Sequence, residues 1–208
     1  MVPEMIAFPF RGTRRQIITG KTVFLRHPDI SDYAEWATLR AESAAFLRPW
    51  EPTWPPDDLE RTAYRGRIRR YNQEIAAGTG FPFFVCAADK GTILGGITLG
   101  NIRRGVSQCG QIGYWTGERH CGRGYMSEAV GLLCEHAFLA RGLHRLEAAC
   151  IPDNTRSIRI LEKAGFEREG YLRSYLKIDG IWRDHLLYSR INPRHEQVGV
   201  QTKQDEAV

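Results

Sequence analysis

The chain has 208 residues, of which 42% are hydrophobic and 25% charged, proportions typical of a soluble globular protein of one domain. No apolar run approaches the roughly 18 residues of a membrane span, and the first residues lack the charged-then-apolar order of a signal peptide. The 29 lysines and arginines exceed the 24 acidic residues, and this net charge of +5 favours anionic partners such as phosphates, a nucleotide-like cofactor or RNA.

In chain order, the predicted elements are a strand at 22–26, helices from Asp29 or Ser31 to about 47 and at 57–77, strands at 81–89, 92–100 and 111–116, a helix at 125–141, a strand at 144–151, a helix at 155–164, and strands at 166–178 and 181–191. A proline- and tryptophan-rich loop at 48–58 separates the first two helices. Lys90-Gly91 and Asp179-Gly180 mark tight hairpin turns.

This order predicts an α+β (α/β) fold, in which one sheet carries helices on both faces. We expect a single domain at 21–192, an N-terminal extension at 1–20 and a flexible polar tail at 193–208.

Five dispersed cysteines and six histidines lack the spacing of a metal site or a disulfide framework. We therefore expect no bound metal and a reducing, cytoplasmic location. We also expect neither membrane association nor specific DNA binding.

Residues 119–129, RHCGRGYMSEA, place two glycines and two arginines directly ahead of the helix at 125–141. The first turn of a helix leaves unpaired N–H groups at a partly positive end, and glycines before it let successive amides face one way. Such a turn accepts a phosphate or pyrophosphate, to which Arg119 and Arg123 add charge and Ser127 a hydroxyl. The alternative is a glycine-rich turn with solvated arginines.

The run from Arg119 to Gly124 matches Q/R-x-x-G-x-G/A and resembles motif A of the GNAT superfamily of acetyl-CoA-dependent N-acetyltransferases. Three more segments resemble its RimJ/RimL-like subfamily, which acetylates the N-terminal alanine of ribosomal proteins, and within it the RimJ type most closely. They are IGYW at 112–115, NTRSIRILEKAGF at 154–166 and GYLRSYLKIDGIWRDHLLYS at 170–189. The resemblance covers about residues 20–192.

The resemblance implies a mixed, mostly antiparallel seven-stranded sheet that splays between its fourth and fifth strands. It implies acetyl-CoA as the cofactor, with the pantetheine in that gap beside backbone groups of Tyr114, Trp115 and Thr116. The other cofactor-binding residues that it implies are Arg119, Cys121, Gly122, Arg123, Gly124, Tyr125, Met126, Ser127 and Asn154.

The implied reaction is direct attack of an amine on the thioester, and we expect a backbone amide near Tyr114 to hold the oxyanion. Many superfamily members use a tyrosine in the fourth helix as the acid, but Leu161 occupies that position here. The resemblance suggests Ser157 instead, which is either that acid or a helix cap. Asn154 is a helix cap, a pantetheine partner, or both.

The general base is not identified, because Gln111 stands where related enzymes often carry a glutamate. Glu118 and Glu128 are the nearest carboxylates, with Glu128 expected to be structural, whereas Glu51 is a candidate to face the acceptor. An α-amine has a pKa near 7.7–8.0 against about 10.4 for lysine, so deprotonation near neutral pH costs about 1 kcal/mol rather than about 4. This favours a protein N-terminus, or a small amine of low pKa, over a lysine side chain.

The resemblance implies that the acceptor is the N-terminal alanine of a ribosomal protein, with association with the ribosome as a further possibility. Candidate aromatic residues at its rim are Trp50, Trp54, Tyr175 and Trp182. Two other functions stay open. One is acetylation of an antibiotic, polyamine or amino acid, and the other is an RNA-binding ribosome assembly factor.

Overall fold

The computed structural model describes residues 17–194. In chain order its elements are β1 (Ile17–Thr19), β2 (Val23–Arg26), α1 (Tyr33–Glu42), α2 (Ala44–Leu47), α3 (Arg61–Ala77), β3 (Phe81–Ala87), β4 (Ile93–Arg103), β5 (Cys109–Thr116), α4 (Tyr125–Leu139), β6 (Arg145–Cys150), α5 (Thr155–Lys163), β7 (Glu167–Ile178) and β8 (Ile181–Ile191). Every predicted strand and helix is present. The first predicted helix is broken at Ser43, whose buried hydroxyl accepts a hydrogen bond from Glu118 N at 3.0 Å.

The strands form one sheet of eight, in the order β1-β2-β3-β4-β5-β6-β8-β7. The expectation of seven strands was wrong, because the short strand Ile17–Thr19 pairs antiparallel with β2 at the edge of the sheet. This strand lies inside the predicted N-terminal extension, most of which falls outside the described residues, as does most of the predicted tail. The mostly antiparallel character is confirmed, since β5 and β6 form the one parallel pair among the described strands.

The expected splay between the fourth and fifth strands is also present. These strands are β5 and β6 here, because the additional strand β1 raises every later strand number by one. These strands pair with each other only from Cys109 beside Arg145 to Gln111 beside Glu147, and beyond these residues β5 pairs only with β4 and β6 only with β8. Alternate backbone groups along the free edge of β5 consequently have no ladder partner from a neighbouring strand. This edge runs from 112 to 116.

Helix α4 covers one face of the sheet, and helices α1 and α3 cover the other. Successive strand residues point to opposite faces, so Phe83 packs on the α4 side and Phe84 on the α1–α3 side. The same alternation on β5 sends Tyr114 towards the α4 side and Trp115 towards the α1–α3 side. The free edge of β5 therefore connects the two faces of the sheet.

The predicted Asp179-Gly180 turn joins β7 to β8, and both residues have positive φ, at 45° and 79°. This combination is typical of the tight two-residue turns that match strand twist. At the tip, Asp179 N donates to the backbone oxygen of Glu51 at 2.9 Å. The C-terminal hairpin is thereby attached to the proline-rich loop. No helix within 17–194 has both the length and the apolarity to cross a bilayer.

Candidate active site

The glycine-rich turn before α4 has the backbone geometry of an anion cradle. Gly122 and Gly124 have φ of 76° and 82°, in the left-handed region that glycine adopts most easily. Gly124 occupies the N-cap position without a side-chain cap, so the first amides of α4 have no capping partner. A Cβ built at either glycine meets no atom within 4 Å, and the space in front of the turn is therefore open.

The predicted cofactor-binding residues include the run from Cys121 to Ser127, but the backbone amide of Cys121 is not available to an anion. Cys121 N already donates to Glu118 O at 3.1 Å, which closes a short 3-10 turn, and its thiol is half-buried. The amides that remain are those from Gly122 to Ser127. Tyr125 and Met126 point their side chains into or against the core, so they offer only backbone groups.

The two predicted arginines of the cradle are placed differently. Arg119 donates to Glu42 on α1 at 2.8 Å, and its charge is thereby partly neutralised. Arg123 is exposed and, with Gly124 and Ser127, lines an open concavity of about 680 Å³ that extends along α4 to Lys163. Sequence reasoning missed Lys163, which contributes positive charge from the last turn of α5.

Glu128 has the structural role that its position predicts. Its carboxylate accepts hydrogen bonds from the backbone N–H and the hydroxyl of Thr22 and from the backbone N–H of Lys21. Burial alone would raise the pKa of this carboxyl, but these hydrogen bonds outweigh it and lower the pKa below its usual value. Glu128 thus ties the β1–β2 turn to α4.

The side chains of Tyr114 and Ser157 meet at the opening between β5 and β6. Tyr114 Oη lies 2.8 Å from Ser157 Oγ and 3.2 Å from the backbone oxygen of Ser157. Burial raises the pKa of the Tyr114 phenol well above its usual value, although the hydrogen bond with Ser157 opposes this shift. The phenol is therefore protonated throughout the neutral range.

Asn154 caps α5, because its Oδ1 accepts a hydrogen bond from Ser157 N at 3.1 Å. The N-cap role predicted for Asn154 is confirmed, and Ser157 lies in the first turn rather than at the cap. Leu161 is 1% exposed and belongs to the core, so α5 presents no phenol at that position. The phenol near Ser157 comes from β5, where sequence reasoning had considered only the backbone amide of Tyr114.

Gln111, which stands where related enzymes often carry a glutamate, is the last residue of β5 that pairs with β6. Its Oε1 accepts a hydrogen bond from Asn101 Nδ2 at 2.7 Å. This amide therefore marks the start of the splay and cannot act as a base.

A cavity of about 310 Å³ lies on the α1–α3 face, beside Tyr114 and Trp115. The small residues Gly96, Thr98 and Gly113 form part of its floor. A Cβ at Gly96 would lie only 2.5 Å from Trp115 Nε1, so glycine at this position allows the indole to lie across β4. Its walls include Trp36, Arg40, Glu51, Arg67 and Tyr71.

Glu51, a candidate to face the acceptor, is held in the wall of this cavity. Arg40 donates to its two carboxylate oxygens at 2.7 and 2.6 Å, and Trp54 Nε1 donates at 2.7 Å. The Arg40 guanidinium also lies 4.0 Å from the ring centroid of Trp54 and 4.9 Å from that of Trp115. Both oxygens of the Glu51 carboxylate are therefore occupied by hydrogen bonds from Arg40 and Trp54.

Of the predicted rim aromatics, Trp54 contacts the cavity wall through Arg40 and Glu51. Trp50 is half-buried in the same loop, whereas Tyr175 packs edge-on against His185 and Trp182 is 61% exposed on the hairpin. Sequence reasoning missed Arg40 and Arg67, since charged residues on helices are usually solvated.

Residues 22–167 match the sequence model of the acetyltransferase (GNAT) domain. The chain belongs to this family. This GNAT acetyltransferase is 35% identical to the probable N-acetyltransferase YjcK of Bacillus subtilis (strain 168), over 87% of the chain and 100% of the relative. It is 33% identical to the ribosomal protein uS5-alanine N-acetyltransferase of Escherichia coli (strain K12), over 79% of the chain and 86% of the relative.

A solved structure of Mycobacterium smegmatis RimJ in complex with CoA-disulfide superimposes with a TM-score of 0.79. The two chains are 32% identical, and the match covers 89% of this GNAT acetyltransferase and 87% of the other chain. The predicted superfamily, fold and N-acetyltransferase activity are thus confirmed. Acetyl-CoA, the expected cofactor, is the acetyl donor of this family, and the open cradle at 122–127 fits its pyrophosphate.

Proposed function

We propose that the protein acetylates the α-amine of a protein N-terminus, with the alanine-starting end of a ribosomal protein as its acceptor. The observation that carries this proposal is the Tyr114–Ser157 hydroxyl pair at the free edge of β5. The strand leads directly into the anion cradle, and Tyr114 also lines the cavity on the other face. The acceptor class is supported by the E. coli relative, whose name specifies the alanine of ribosomal protein uS5.

The donor side of the site consists mainly of backbone groups. When bound, acetyl-CoA supplies the acetyl group as a thioester. The amides of 122–127 hold its pyrophosphate, and the free edge of β5 at Tyr114, Trp115 and Thr116 holds its pantetheine. Asn154 uses Oδ1 to cap α5, which leaves its Nδ2 to donate to a pantetheine amide.

The two hydroxyls hold protons at the opening of the sheet. Because burial keeps the phenol of Tyr114 protonated, Tyr114 orients Ser157 Oγ as the proton donor to the departing sulfur. The proton that the attacking amine releases restores the Ser157 hydroxyl, so that the protons balance over the reaction. A backbone N–H of β5 near Tyr114 stabilises the negative charge that develops on the acetyl oxygen. One such donor contributes roughly 10²–10³ in rate.

The acceptor amine must be largely neutral when it arrives, because the candidate bases are occupied. Gln111 is an amide, and Glu51 is bound by Arg40. An α-amine meets this requirement near neutral pH at a cost of about 1 kcal/mol, whereas a lysine needs about 4 kcal/mol. This supports an N-terminal acceptor.

An acceptor screen by mass spectrometry tests the proposal. The purified protein is incubated with acetyl-CoA and alanine- or serine-starting peptides, lysine peptides with blocked N-termini, and small amines including polyamines. We expect acetylation of alanine-starting peptides at the α-amine. Preferential acetylation of lysine side chains or of polyamines would overturn the proposal.

A further inference from the structure

Two buried donors, on residues that line the cavity beside Tyr114, have no hydrogen-bond partner in the described part of the chain. They are the buried Nε–H groups of Arg40 and Arg67, and both residues line the cavity. Arg40 is only 6% exposed, so solvent does not compensate its Nε–H. Because a buried donor without an acceptor is unfavourable, a ligand with oxygen acceptors is stabilised here.

The charge of each arginine is already balanced by a carboxylate. Glu51 accepts from both terminal nitrogens of Arg40, and Asp58 accepts from Arg67 Nη2 at 2.6 Å. The open Nε–H groups therefore suit a neutral carbonyl oxygen better than a free carboxylate.

The size of the cavity indicates how much of an acceptor it holds. About 310 Å³ is at the small end of ligand pockets, and this volume suits one or two residues with small side chains. Its floor is open at Gly113, the residue before Tyr114 on β5, whereas the Trp115 indole lies over Gly96.

We infer that this cavity binds the first peptide unit of the acceptor, and that the carbonyl oxygen of the first peptide bond accepts hydrogen bonds from the Nε–H groups of Arg40 and Arg67. This inference rests on the proposed function and narrows it. The enzyme selects an α-amine with a neighbouring amide carbonyl, and it discriminates against amines without that carbonyl and against free amino acids.

The test compares an alanine-starting tetrapeptide, the same peptide with an (E)-alkene in place of the first peptide bond, and free alanine. The alkene keeps the shape of the peptide bond but removes its carbonyl oxygen. For each acceptor, kcat/KM is corrected for the measured pKa of its amine, and the Kd of both peptides is measured by tryptophan emission and calorimetry. The wild-type enzyme is expected to prefer the normal peptide to the alkene and to alanine by about tenfold or more, because the donors are charged.

Arg67→Met, on α3, and Arg40→Met, on α1, are compared with Arg70→Met, a control at an exposed arginine of α3. In both cavity variants we expect kcat/KM for the normal peptide to fall to near the value for the alkene peptide. Arg70→Met should keep the wild-type ratio of kcat/KM between the two peptides. Thermal unfolding shows whether each variant is folded. If Arg40→Met does not fold, the comparison between Arg67→Met and Arg70→Met tests the inference.

Equal use of the peptide and the alkene by the wild-type enzyme, or better use of free alanine, overturns this inference while the proposed function stands. The inference is also overturned if the ratio persists in Arg67→Met. Preferential acetylation of lysines or polyamines in the acceptor screen would instead overturn the proposed function itself.

Discussion

The hydroxyl oxygen of Tyr114 lies 2.8 Å from that of Ser157, so that a strand residue and a helix residue form one hydrogen-bonded pair. The two residues are 43 positions apart in the chain and meet where β5 leaves β6. Ser157 also contacts Cys150, whose thiol pKa is raised to about 11 by burial despite a hydrogen bond with Ser157. This thiol is protonated near pH 7, so it adds no negative charge beside the two hydroxyls.

Removing the hydroxyl of Ser157 is expected to slow the chemical step. We expect Ser157→Ala to lower kcat by about 10²-fold or more, a typical contribution of a general acid, and to leave the Kd of acetyl-CoA within about threefold. Tyr114→Phe should have a smaller effect on kcat, since it removes an orienting contact. Steady-state and single-turnover kinetics measure both variants.

Ser107→Ala is the control for these variants, because Ser107 lies in the exposed β4–β5 loop. An unchanged kcat in Ser157→Ala, with chemistry shown to be rate-limiting, would remove the proposed acid role.

A carboxylate in the anion cradle is expected to abolish binding of the cofactor. Gly122→Glu forces a side chain into the left-handed region and places negative charge against the pyrophosphate. We expect the Kd of acetyl-CoA, measured by calorimetry, to rise at least about 100-fold, which corresponds to roughly 2.7 kcal/mol.

Gly105→Glu is a matched control, because Gly105 has a φ of 69° in a surface turn with open space around it. Both variants carry similar backbone strain, but only Gly122→Glu should lose the cofactor. Normal affinity in folded Gly122→Glu would contradict the pyrophosphate assignment.

A methyl group added to β4 beneath the indole of Trp115 should weaken binding of the acceptor peptide without affecting binding of acetyl-CoA. In Gly96→Ala the new Cβ would lie 2.5 Å from Trp115 Nε1, so the indole must move into the cavity. We expect a KM for the peptide raised about tenfold, a loss of about 1–3 kcal/mol in the free energy of unfolding, and an unchanged Kd for acetyl-CoA.

Gly100→Ala, on the same strand, provides the comparison, since its Cβ makes an ordinary contact of 3.8 Å with Thr98. If both alanine variants have the same peptide KM, the cavity is not the acceptor site.

The contribution of Glu128 to stability should depend on pH. Its pKa is lowered in the folded state, so it stabilises the fold above the unfolded pKa of about 4.3, and the effect disappears as pH falls through the folded value. We expect Glu128→Gln to lower the free energy of unfolding by about 1 kcal/mol at pH 7, since the carboxylate is partly solvated.

The difference between Glu128→Gln and wild type should shrink as the solution is acidified below pH 4.3, measured by denaturant unfolding at several pH values. Glu135→Gln, at an exposed position of α4, is expected to match wild type throughout. A constant difference across the pH range would contradict the hydrogen-bonded role of the ionised carboxylate.

Whereas the mixed sheet and its splay were implied by the family resemblance, residue period and glycine placement were sufficient to predict the helices and most of the strands. Local signals are strong in these parts, as at Gly122 and Gly124 before an amphipathic helix. The edge strand at 17–19 was missed, because three residues are too few to show a period. The Tyr114–Ser157 contact and the buried Arg40 depend on how distant segments pack together, and a single sequence carries no signal for such pairings.

The hydrogen bond from Asp179 to Glu51 has a consequence for the order in which the enzyme is built. Strand β8 lies between β6 and β7 in the sheet, although it is the last strand in the chain. The loop that carries Glu51 is therefore completed only by residues synthesised about 130 positions later, and contacts of such long range form slowly. A chain that has not yet reached residue 179 therefore lacks the hydrogen bond by which the C-terminal hairpin holds the Glu51 loop in the complete fold.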